Sequence, residues 1–114
     1  MNPVQFYKLL ADDTRLASLL LIQREGEICV CELTAALMLS QPKVSRHLAQ
    51  LRKAELLTDR RQGQWVFYRI NPSLAPWAGA VLADTLAANA DYLSASITRL
   101  EAMGSRPERA NNCC

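Results

Sequence analysis

A mainly α fold carrying one β-hairpin wing is what the sequence predicts, and three observations predict it. Ser40 to Leu57 reads as a turn followed by a helix with one polar, basic face. A short apolar segment, Glu32 to Leu39, stands immediately before that turn. Two runs of strand-forming residues then flank Gln62-Gly63. Short helix, tight turn, two-faced helix and basic hairpin together make a winged helix-turn-helix, expected here as a dimer.

The chain has 114 residues, enough for one ordinary domain. We expect that domain over residues 1–103 and a flexible tail over residues 104–114, where the composition turns polar. Half of the residues are apolar, so a core can form. A net charge of +2 does not by itself point to nucleic acid, so the distribution of charge carries that argument. No apolar run reaches the length of a membrane span. Met1 to Leu10 lacks the basic start, apolar centre and cleavage site of a signal peptide. The sequence thus predicts a cytoplasmic protein with no membrane partner.

In order, Pro3 to Leu10 is a short apolar helix, suited to packing against a second subunit. Asp12 or Asp13 can cap the next helix, because a carboxylate accepts bonds from its unpaired first N–H groups. That helix places Leu16, Leu19, Leu20 and Gln23 on one side and ends near Gly26. Pro42 disfavours helical geometry at Gln41 but suits the first turn of the following helix, so Ser40 is its N-cap. From Pro42 to Ala54, Val44, Leu48 and Leu51 point one way, with His47 and Ala54 at the margin. Lys43, Arg46, Gln50 and Lys53 point the other way. Leu56–Arg61 and Gln64–Ile70 form the hairpin, turned by Gln62-Gly63. After Asn71-Pro72-Ser73, one long amphipathic helix is expected from Leu74 to about Met103. Together with the N-terminal segment it would form the dimer seam, through residues such as Leu86 and Leu93.

Helix starts and wings contact DNA in this arrangement. Gln41, Lys43, Ser45 and Arg46 are the candidates for base or phosphate contact in the major groove. Arg60, Arg61 and Gln64 on the wing would touch the backbone or minor groove. His47, the one histidine of the chain, is read as a packed or phosphate-facing residue rather than a metal ligand.

The four cysteines come as two tight pairs, Cys29/Cys31 and Cys113/Cys114. Such pairs are poorly suited to a disulfide framework and better suited to metal or redox chemistry. Soft thiolates favour soft centres. In extended backbone, residues two apart face the same side, so Cys29 and Cys31 could supply two sulfurs. Drawing both onto one centre at a regular helix start should require local unwinding. A catalytic thiol lacks support, because the chain has no Cys-X-X-Cys, no Gly-rich phosphate loop and a single histidine. The sequence therefore predicts a protein that is not an enzyme.

Four pieces carry a family resemblance: Leu10-Ala11-Asp12-Asp13-Thr14-Arg15-Leu16, Ile28-Cys29-Val30-Cys31-Glu32-Leu33, Ser40-Gln41-Pro42-Lys43-Val44-Ser45-Arg46-His47-Leu48, and Asp59 to Arg69. In this order they resemble the ArsR/SmtB family of winged-helix metalloregulators, nearest its arsenical-responsive repressors. The resemblance implies a homodimer that binds double-stranded operator DNA without a cofactor and silences resistance genes. It implies release when arsenite or antimonite binds thiolates beside the first helix of the helix-turn-helix. Cys29 and Cys31 match two of three clustered cysteines; three residues after Cys31 this chain has Thr34. Cys113 or Cys114, or an external thiol, could supply the third sulfur. The alternatives are a cadmium- or lead-responsive or a thiol-redox-responsive repressor of the same fold. Related cadmium and lead sensors add cysteines near the N-terminus, and none precedes Cys29. A zinc site on the last helix is disfavoured by its lack of histidine.

Overall fold

The computed structural model describes residues 1–104, so the Cys113/Cys114 pair and all but the first residue of the expected tail lie outside the described residues. Six helices and three strands follow in the order α1 (Pro3–Leu10), α2 (Asp13–Glu25), β1 (Ile28–Cys29), α3 (Val30–Leu37), α4 (Gln41–Lys53), β2 (Leu57–Gln62), β3 (Trp65–Ile70), α5 (Pro76–Ala88) and α6 (Ala90–Ala102). The strands form one antiparallel sheet in the order β1-β3-β2.

Local chemistry sets the helix ends. The Asp12 carboxylate accepts from the Arg15 N–H at 3.0 Å and starts α2, and Gly26, at φ 84°, ends it. Positive φ is open to glycine at little cost, which is why the chain can turn sharply there. Ser40 caps α4 with Pro42 in the first turn, as the sequence predicts. The core gathers around α2. Leu19, Leu20, Leu21 and Ile22 are all fully buried, so this helix is enclosed on every side rather than on one. Val44, Leu48 and Leu51 seat α4 on that core.

Four expectations are corrected. First, α3 begins at Val30, not Glu32, and ends at Leu37, with Met38 in the left-handed region at φ 55°. The helix starts earlier because Glu32 is its third residue and its carboxylate accepts the Cys29 N–H at 2.9 Å, half of a capping box. Second, the expected two-stranded hairpin gains a third strand, Ile28–Cys29, which pairs Ile28 with Tyr68 and Cys29 with Phe67. Third, Gln62 pairs with Trp65, so the hairpin loop is Gly63-Gln64. Gly63, at φ 64°, takes the first loop position, where a type II′ turn wants glycine.

Fourth, the long terminal helix is two helices, α5 and α6. They break at Asn89, whose backbone (φ −131°, ψ 45°) is not helical. The Asn89 side chain donates instead to the Thr85 carbonyl at 2.9 Å, a local bond that competes with helix continuation. The break folds α6 back over α3, where Arg99 Nε donates to the Ala36 carbonyl at 2.7 Å. Leu93 and Leu100 of α6 are therefore buried in the chain's own core. Leu93 is thus not a seam residue. The exposed large apolar side chains of the N-terminal and α5 elements are Met1, Val4, Tyr7 and Trp77.

A cysteine pair beside a candidate DNA-reading surface

Cys29 is the extended N-cap of α3 (φ −81°, ψ 149°) and Cys31 is the helix's second residue. Their Sγ atoms lie 3.1 Å apart. An N-cap residue is extended and turns its side chain over the first turn, which brings the two sulfurs together. Cys29 is buried with Phe67, and Cys31 and Trp65 pack against that pair. Thr34 stands one turn further along α3, and its hydroxyl donates to the Val30 carbonyl at 2.8 Å. Among the described residues no group of three or more His, Cys, Asp and Glu side chains could hold a metal ion.

The sulfurs open into a cleft of about 470 Å³. Its walls include Cys29 and Cys31 on one side, Gln41 and Ser45 of α4 on another, and Gln64 and Trp65 of the wing on the third. The sheet thus brings the cysteine pair, the start of the reading helix and the tip of the hairpin to one place.

Of the expected DNA contacts, Gln41, Lys43, Arg46, Arg61 and Gln64 project as exposed side chains, and Ser45 is half-buried. Arg60 differs. Its Nε and Nη2 donate to the two Glu27 carboxylate oxygens at 2.8 and 2.7 Å, and Nη1 donates to Gln62 Oε1 at 2.8 Å. The bidentate bond to Glu27 holds the guanidinium above its ordinary pKa. The same guanidinium sits 4.5 Å from the centre of the Phe67 ring, the cross-strand partner of Cys29. Arg60 thus ties the wing to the segment that carries Cys29.

His47 is packed, its side chain only 12% exposed. Its Nδ1 accepts from Arg15 Nη1 at 3.3 Å and lies 3.9 Å from the Asp12 carboxylate. Reasoning from sequence missed Glu27, Phe67 and Arg15 as parts of the site. A carboxylate just before a β-forming Ile-Cys step is a weak signal for the first, and Arg15 entered only as part of a matched motif.

A short helix, a three-residue turn, an exposed basic helix face and a basic β-hairpin define a winged helix-turn-helix DNA-binding regulator. The family model described as "Bacterial regulatory protein, arsR family" matches residues 12–59. The chain is 55% identical to the arsenic resistance transcriptional regulator ArsR1 of Pseudomonas putida, over 99% of this chain and 88% of that protein. It is 42% identical to the arsenical resistance operon repressor of Escherichia coli K12, over 97% of this chain and 95% of that protein. The crystal structure of the AntR antimony-specific transcriptional repressor superposes with a TM-score of 0.65 at 33% identity, covering 77% of each chain. This chain belongs to the ArsR family. It is a DNA-binding transcriptional regulator of the arsenic-resistance group, not an enzyme. No helix among the described residues is long and apolar enough to cross a membrane.

Proposed function

We propose that the protein is a homodimeric repressor of a resistance operon that leaves its operator when arsenite or antimonite binds Cys29 and Cys31. One observation carries the reading: two sulfurs 3.1 Å apart share a cleft with Gln41 and Ser45 of α4 and Gln64 of the wing. The donor set fits a soft centre, since both side chains offer sulfur and the two sulfurs already converge. Trivalent arsenic or antimony, when bound, supplies a thiophilic centre that takes both thiolates. Cys113 or Cys114, or an external thiol, completes the set in place of the absent third cysteine at Thr34.

The residues of this chain transmit the change. Cys29 is bonded into the sheet opposite Phe67, and Glu27, two residues earlier, clamps Arg60 of the wing. Cys31 lies in α3, which packs directly against α4. Any shift at the sulfurs therefore acts on both DNA-facing elements. Gln41, Lys43, Ser45 and Arg46 would read or grip the major groove, with His47 packed behind them. Arg61 and Gln64 would hold the backbone or minor groove, joined by Arg60 if DNA draws it from Glu27. The dimer seam would be formed by α1 and α5, whose Val4, Tyr7 and Trp77 are exposed.

The test is release from operator DNA titrated with arsenite, antimonite, cadmium and zinc under reducing conditions. Release by the first two at lower concentration than the others is expected. A second reading, release by thiol oxidation, is favoured by the contact between the sulfurs; release by peroxide without arsenite would support it.

A further inference from the structure

Arg15 joins three helices through one guanidinium. Its backbone N–H is fixed by Asp12 in the first turn of α2. Its Nε donates to the Leu9 carbonyl at 2.8 Å and its Nη2 to the Lys8 carbonyl at 3.3 Å, both in the last turn of α1. Its Nη1 donates to Gln50 Oε1 at 3.1 Å and to His47 Nδ1 at 3.3 Å, both on α4. Arginine has no acceptor, so His47 Nδ1 accepts and the ring proton sits on Nε2.

We propose that Arg15 is a positioning residue for the reading helix, setting where α4 stands relative to α1 and hence the separation of the two reading helices in the dimer. The inference rests on the proposed dimer, whose seam includes α1. Its chemistry suits the task. The last carbonyls of a helix have no partner within the helix and favour a cation, so α1 offers a natural acceptor. A planar guanidinium with five donors binds two helices in one fixed geometry, which a lysine ammonium cannot. Gln50 lies on the same exposed face of α4 as Lys43, Arg46 and Lys53. Holding Gln50 and His47 therefore fixes the rotation of the face offered to DNA. The competing account is that Arg15 grips a phosphate itself.

The test uses a duplex selected by the wild-type protein from a random-sequence library, and the same duplex with one or two base pairs inserted at its centre. Arg15→Ala should bind the selected duplex about 10- to 150-fold more weakly, the range for losing hydrogen bonds to a charged group. It should also lose less than wild type on insertion, because the spacing of its reading helices is no longer fixed. Its salt dependence should match wild type, whereas loss of a phosphate contact would lower the slope of log affinity against log salt by about 1. His47→Phe and Gln50→Leu keep side-chain bulk and remove the two α4 acceptors. Together they should reproduce the spacing effect even if Arg15→Ala does not fold. Wild-type binding by the variants, or a reduced slope with an unchanged insertion penalty, overturns the proposal. Selected duplexes with one half-site would overturn the dimer reading as well, and sedimentation identifies that case separately.

Discussion

Asp12 closes the first turn of α2 by accepting the Arg15 N–H, and that bond is the main reason its carboxyl sits below the ordinary carboxylate value. Burial opposes the shift, while the nearby Arg15 charge adds to it. A depressed folded-state pKa contributes stability that is present above the unfolded value. It is lost as pH falls through the folded one. Asp12→Ala should cost about 1 kcal/mol at neutral pH, the usual worth of an N-cap. Asp12→Asn should keep most of the cap and flatten the acid limb, as measured by urea unfolding between pH 2 and 6. An acid limb unchanged in both variants would show that other carboxylates set it. At this level the sequence was legible where chemistry is local. The Asp12 and Ser40 caps and the Cys-Val-Cys spacing all stand in one short stretch each. Arg60 was not legible, because Arg60 and Arg61 look alike until a partner 33 residues away, Glu27, selects one of them.

Among the elements, the terminal helices decide where the second subunit of the proposed dimer would sit. A stripe of apolar residues from Leu74 to Met103 reads as one seam, yet the Asn89 break folds α6 onto α3 and buries Leu93. Nothing in the apolar spacing distinguishes a straight helix from a folded pair, since both bury the same residues. Likewise the Ile28–Cys29 strand spans only two residues, too few for alternation to register. The corrected placement separates two variants. Leu93→Ala should destabilise the subunit by about 2–5 kcal/mol, as loss of a buried leucine does. Trp77→Arg, on the exposed α5 face, should leave the fold intact and give monomers by sedimentation. Dimers that persist in Trp77→Arg would move the seam away from α5.

For the whole molecule, DNA affinity should be electrostatic in large part, since contacts to phosphate release counterions. The exposed Arg46 stands on the α4 face with Lys43 and Lys53. Arg46→Ala should weaken operator binding and, if it meets a phosphate, reduce the salt slope by about 1. Wild-type affinity in that variant would remove Arg46 from the interface.

Under the proposed function, the same molecule would also turn binding at the sulfurs into release. A ligand shifts the equilibrium only by its preference for the form that does not bind DNA. A coupling of about 1–3 kcal/mol would weaken operator binding roughly 5- to 150-fold, and operator would weaken arsenite binding by the same factor. The connections available for that coupling are α3 against α4, and Cys29 against Phe67 with the Glu27–Arg60 clamp beside it. The most direct measurement is arsenite titration, under reducing conditions, of operator complexes formed by wild type and by the Cys29→Ser/Cys31→Ser double variant. The double variant should bind operator as tightly as wild type and stay bound at arsenite concentrations that release wild type. Release of the double variant at the wild-type arsenite concentration would contradict this and place the sensor elsewhere in the chain.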